Sequence, residues 1–194
     1  MKNARVRDLI LLAFFADTGF VAKRLIAPFA NVFTDFLRVP GGIGTAFSLM
    51  FLVIGACMIR RKGAAAVMSL VQCILAISLG MTGAMGMLSP VGYILPGIII
   101  DLTLALCVRS GAGLTVSMTI ANAAGSIMAA LTANFIIFNL HGAVLALYVL
   151  IALISGGICG LLGAVIYRRI RPLYRTENMQ TLNSRKGERN EQKA

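Results

Sequence analysis

The residues best placed to do chemistry lie inside apolar runs. Asp101 stands near the middle of Met87–Cys107, a stretch otherwise apolar enough to sit in lipid. A carboxylate at that depth costs roughly 2.5 to 3.5 kcal/mol on insertion scales, so it normally faces protein or a polar cavity. Pro90, Gly92, Pro96 and Gly97 lie ahead of it and are expected to break the helix start. Irregular backbone at membrane depth survives only where it is buried in protein or lines a cavity. The segment is therefore expected to wall a binding pocket. Gln72 and Asn122 fall at similar depth in neighbouring runs. An unmade hydrogen bond there costs about 1 to 3 kcal/mol, so some of these groups are expected to meet. They form either a structural cluster that fixes helix register or the floor of a ligand cavity.

A second group lies toward one end: Tyr93, Asn134, Asn139, His141 and Tyr148. Aromatic rings with a few amides and one imidazole suit a small, flat, polar heterocycle. The competing role for the tyrosines is anchoring at the membrane interface, and for His141 that of an ordinary loop residue. Asp17 interrupts the first apolar run, where it can pair with Lys23 or Arg24 or cap the loop that follows. Ala13, Ala16, Gly19 and Ala22 recur every three residues, a smooth stripe on which another protein's helix could lie.

Catalytic patterns are missing. The sequence has no GxxxxGK[ST] phosphate loop, no HExxH and no GxSxG, and with 1 His and 7 acidic residues acid–base chemistry has little to work with. The chain does not read as an enzyme. If it moves a solute uphill, the energy must come from another subunit or an ion gradient. Cys57, Cys73, Cys107 and Cys159 all sit in apolar runs without a CxxC pair or Cys/His cluster. They read as small buried hydrophobes, and no metal or cofactor is expected.

The elements that must hold these groups follow from composition. Of 194 residues 58% are hydrophobic, with a mean hydropathy of +0.86; soluble domains are nearer 45 to 50% apolar. The expected fold is an all-α integral membrane protein with six transmembrane helices, at about 8–26, 43–59, 63–80, 91–108, 113–138 and 142–167. Residues 27–42, with Pro28, Asp35, Arg38 and Pro40, are too polar to span and too apolar for a free linker, so a re-entrant or capping loop is expected. Residues 175–194 form a basic tail, expected to be disordered after a short helical extension. In helix five Ala121, Gly125, Ala129 and Ala133, and in helix six Gly156, Gly160 and Ala164, mark faces that should pack closely. The net charge of +11 is concentrated at the ends and in a few loops. Lys2, Arg5, Arg7, Arg60–Lys62, Arg109, Arg168, Arg169 and Arg171 share one side, which places both termini in the cytoplasm. The exceptions, Lys23, Arg24 and Arg38, either attract an anionic ligand or snorkel to lipid phosphate. The charge pattern suits anionic lipid headgroups and does not suit nucleic acid.

With those features in place, the chain resembles the substrate-binding S components of energy-coupling factor (ECF) vitamin transporters. The residues that carry the likeness are Val39-Pro-Gly-Gly42, Gly63-Ala-Ala-Ala66, Gln72 with the apolar run to Gly80, and Tyr93-Ile-Leu-Pro-Gly97 with Asp101, over roughly residues 8–167. The resemblance implies a bacterial plasma-membrane subunit that binds a vitamin, precursor or other micronutrient from outside. It implies a membrane coupling subunit and two ATPase subunits as partners. It points to Tyr93, Asn134, His141 and Tyr148 as ligand contacts, with Arg38 on a lid. The family's first helix often carries AxxxA for docking. Here Ala13, Ala16, Gly19 and Ala22 are spaced by three, a departure from that pattern. The alternative is a non-transport scaffold or assembly partner.

Overall fold

α2 (Ile43–Ile59) is the centre of the molecule, and the other helices are arranged around it. In the computed structural model, backbone is described for residues 6–37, 43–59, 61–81 and 83–191. Side chains are described as far as Pro172, apart from Arg7, 30–31, 33–43 and 83–84. The described chain is helical: α1 (Val6–Leu37), α2, α3 (Ala64–Ser78), α4 (Ser89–Arg109), α5 (Leu114–Ala133) and α6 (Ala143–Glu191). A 3-10 segment, Gly83–Leu88, precedes α4, and a π-helical turn, Asn134–Phe138, extends α5.

A helix apolar on every side has to be buried. α2 is such a helix, and Ala46, Leu49, Met50, Leu52, Val53, Ile54 and Ala56 are all buried. It packs against each of α1, α3, α4, α5 and α6. The apolar surface that remains, such as Leu25, Phe29, Leu102, Leu106, Leu153 and Ile158, points outward. Among the described residues three helices are long and apolar enough to cross a membrane: Met85–Arg109, Leu114–Phe138 and Ala143–Pro172. The apolar stretches of α2 and α3, Gly44–Ile59 and Ala64–Ser78, are shorter. At 15 residues α3 is about 22 Å long, against about 32 Å for the 21 residues of α4, so α4 outruns it.

Close approach of backbones depends on glycine. A Cβ at Gly160 would lie 2.7 Å from Thr119 Cα, and one at Gly156 would lie 2.9 Å from Ala123 Cα. α5 and α6 therefore meet closely, as the small residues of α6 suggest. The α5 residues in the seam are Thr119, Asn122, Ala123 and Ser126, rather than the row Ala121–Gly125–Ala129. Gly125 instead faces Ile100 of α4. α3 and α4 cross where Gly97 lies on Ser69 and the Ala65 carbonyl.

Three expectations from sequence are corrected. First, α1 does not stop near residue 26: it is helical through Leu37, with Pro28 inside it. Proline removes one N–H and kinks a helix without necessarily ending it, and the chain has no glycine between Gly19 and Gly41. The capping loop thus does not occupy 27–37; residues 38–42 lie outside the described residues. Second, Pro90 and Pro96 do not break α4. Pro90 occupies the first turn, where a missing N–H costs nothing. Pro96 lies inside the helix, which continues through it to Arg109. The irregular backbone falls earlier, at Gly86 (φ 50, ψ −124). Third, residues 175–191 continue α6 as helix; Pro172 does not end it.

Candidate functional site

Asp101 grips the start of α3. Its two carboxylate oxygens accept backbone N–H bonds from Ala65 (3.2 Å) and Ala66 (2.8 Å). Those N–H groups belong to the first turn of α3, where no carbonyl of the helix itself can reach them. Gly63, left-handed at φ 84, turns the chain into that helix without a side-chain cap of its own. Asp101 supplies the cap from α4, aided by the positive end of the helix dipole. It therefore sits level with the first turn of α3, not with Gln72, which lies two turns further along.

Gln72 and Asn122 do share a level, on either side of α2. The Gln72 amide donates to the Ala16 carbonyl of α1 (3.0 Å) and to Ser48 Oγ of α2 (3.5 Å). The Asn122 amide donates to the Ala46 carbonyl of α2 (3.3 Å) and to the Gly156 carbonyl of α6 (2.8 Å). Residues 46 and 48 differ by about 200° around a helix, so α2 stands between the two amides. Gln72, Asp101 and Asn122 bond to helix backbone and Ser48 rather than to one another. Asn122 is fully buried and its Oδ1 has no hydrogen-bond partner.

The stripe on α1 is divided. Ala16 is buried and Gly19 lies against Gln72, Ser48 and Phe51, so these two face α2 and α3 and cannot seat an outside helix. Ala13 is exposed and Ala22 half-buried. Residues spaced by three drift around a helix of 3.6 residues per turn, which sends one end of the stripe outward and the rest inward. Asp17 is exposed and pairs with neither Lys23 nor Arg24.

The remaining candidates lie at the Tyr93 end of the bundle, opposite the end where Asp8 of α1 bridges Arg61 at 3.0 Å. Asn134 Oδ1 accepts the Leu140 N–H at 2.7 Å, while its amide donates to the Leu140 carbonyl at 3.4 Å. It thereby closes the turn in which Asn139 adopts φ 49. His141, next in the chain, is exposed. Tyr148 is buried edge-on to Phe138, with ring centroids 6.1 Å apart, beside Ala130 and Ala152. Tyr93 is on another side of this end. The Lys23 ammonium lies over its ring, 4.8 Å from the centroid. Arg24 donates to the Met81 carbonyl at 2.6 Å and rests over Phe20. Arg38 lies outside the described residues.

Thus Tyr93 is brought to Lys23 and Arg24, whereas Asn134 and Tyr148 serve the α5–α6 turn. The sequence marks the two cations only as exceptions to the charge rule, with an anionic ligand or lipid phosphate as their partner, and does not connect them to Tyr93. Their signal was visible: they break the charge asymmetry, on a side otherwise almost free of Lys and Arg. Among the described residues no group of three or more His, Cys, Asp or Glu side chains is gathered for a metal ion. Compared with protein-family models, curated proteins and solved structures, the chain has no significant match.

Proposed function

We propose that the chain is the substrate-binding membrane subunit of a micronutrient uptake system of the ECF type. In this reading all six α-helices span the bacterial cell membrane and both termini are cytoplasmic. A separate coupling subunit and two ATPases supply the energy, since the chain carries no phosphate loop of its own. The observation that carries the reading is the placement of charge. Arg61, Arg109 and Arg168 mark one end of the bundle, while Lys23 and Arg24 meet Tyr93 at the other. The positive-inside rule puts the first end in the cytoplasm. A solute arriving from outside then meets Lys23, Arg24 and Tyr93 first. The coupling subunit would dock along the exposed side of α1, at Ile10, Ala13, Phe14, Asp17 and Val21.

The test is purification of the full chain, mass spectrometry of any small molecule it carries, and a thermal-shift screen of vitamins and precursors. A specific ligand is expected, together with uptake by cells that needs a partner ATPase. A folded protein that binds no small metabolite would overturn the proposal. The scaffold reading draws on α6, which continues as a basic helix to Glu191. Truncation after Tyr174 separates the two: a scaffold loses its activity, and the uptake subunit keeps ligand binding.

A further inference from the structure

Lys23 is a half-buried ammonium group on the inner side of α1, where it meets the ring of Tyr93 rather than a carboxylate. Arg24, beside it, bonds a main-chain carbonyl and rests over the Phe20 ring. Among the described residues no carboxylate forms an ion pair with either cation. Two adjacent positive charges repel each other, and a charge withdrawn from water is normally paired. An aromatic face attracts a cation by about 0.5 to 2 kcal/mol but leaves its charge in place. Arg24 has five N–H donors and gives one of them to Met81, so donors remain for a second partner. One turn before Tyr93 on α4, Ser89 is fully buried and its hydroxyl makes no hydrogen bond. The same turn is the positive end of the α4 dipole.

We infer that Lys23 and Arg24, with the ring of Tyr93 beneath Lys23, bind the anionic group of a small solute, a carboxylate or a phosphate. The inference deepens the uptake reading, on which it rests for the source of the solute. Lys23 supplies the point charge and Arg24 the directed hydrogen bonds. Lys23 is fixed over the ring before the solute arrives. An anionic lipid headgroup offers the same chemistry, so the test has to separate the two sources.

The chain has five lysines, Lys2, Lys23, Lys62, Lys186 and Lys193. Reductive 13C-methylation of the full chain in neutral detergent keeps their charge and gives each an NMR signal. The Lys23 signal is assigned by its loss in Lys23→Arg. It is expected upfield of the others because it lies over an aromatic ring, and it should return toward them in Tyr93→Leu. Phenyl phosphate and benzoate are then titrated at constant ionic strength, with benzamide as the neutral control. The expected result is a saturable shift of Lys23 alone with at least one anion and none with benzamide. Arg24→Gln should weaken that binding by about tenfold. No movement of Lys23, equal movement of all five signals, or an equal response to benzamide overturns the inference. Mixed micelles containing phosphatidylglycerol form the second arm; a shift there without one from soluble anions overturns it in favour of lipid. The titration involves no transport, so its failure is separate from failure of ATPase-dependent uptake.

Discussion

Asp101 gives its two oxygens to N–H groups of another helix, and the chemistry of that contact sets the outcome of changing it. Asn at 101 keeps one oxygen that can accept but loses the charge favoured at a helix N-terminus, a cost of about 0.5 to 1 kcal/mol. Leu leaves both N–H groups without the partner they have now, a cost of about 2 kcal/mol. Thermal unfolding in detergent should therefore rank wild type above Asp101→Asn and that above Asp101→Leu. Ligand binding per folded molecule should stay unchanged in both. Equal and complete loss of binding in two well-folded variants would instead mark Asp101 as a charge needed by the ligand. That Asp101 matters could be seen in the sequence, because a carboxylate in an apolar run needs a partner. The identity of the partner could not. The sequence reading gives the third and fourth helices spans of equal length, 63–80 and 91–108, whereas α3 is six residues shorter than α4. The same limit applies to Gln72 and Asn122. Their shared level followed from counting residues, but the helix that separates them is known only from packing.

At the scale of the elements, the boundaries of α2 to α5 followed from apolar runs bounded by Arg60-Arg61-Lys62, Gly80 and Arg109-Ser110-Gly111. α1 and α6 both run further than their apolar content indicates. Beyond the apolar runs polarity is expected to end the helices, with Pro28 at the end of the first, yet α1 continues through Pro28 and α6 through its basic tail. Small residues predicted the α5–α6 seam and its glycines on α6, Gly156 and Gly160, but not the α5 residues that meet them. Gly160 and Gly157 offer a direct comparison within α6. A methyl group at Gly160 meets the Thr119 backbone at 2.7 Å, whereas at Gly157 nothing lies within 4 Å. Gly160→Ala is expected to lower stability by about 1 to 3 kcal/mol through overpacking. Gly157→Ala should be neutral or stabilising by up to about 1 kcal/mol, since alanine is the better helix former. Thermal midpoints of the two purified variants check this. Similar losses in both would mean that the seam lies elsewhere.

For the molecule as a whole, orientation is the property on which the proposed uptake function depends. Met87 is 98% exposed ahead of α4, and Arg169 is exposed on α6 at the opposite end. With the four native cysteines replaced by alanine, Met87→Cys should react with an impermeant maleimide on intact cells. Arg169→Cys should react only after the membrane is opened, and the reverse pattern would place the Lys23–Tyr93 site in the cytoplasm. The order of synthesis also bears on α2. It leaves the ribosome second, yet its Ala46 carbonyl waits for Asn122, 76 residues later, and its Cys57 carbonyl for Tyr167, 110 residues later. Until α5 and α6 arrive, the axis of the bundle lacks half of its wall. The bundle around α2 can therefore close fully only once α5 and α6 are in place. A chain cut short after α4 should be recognised by membrane quality-control proteases and degraded, even though each of its helices is intact.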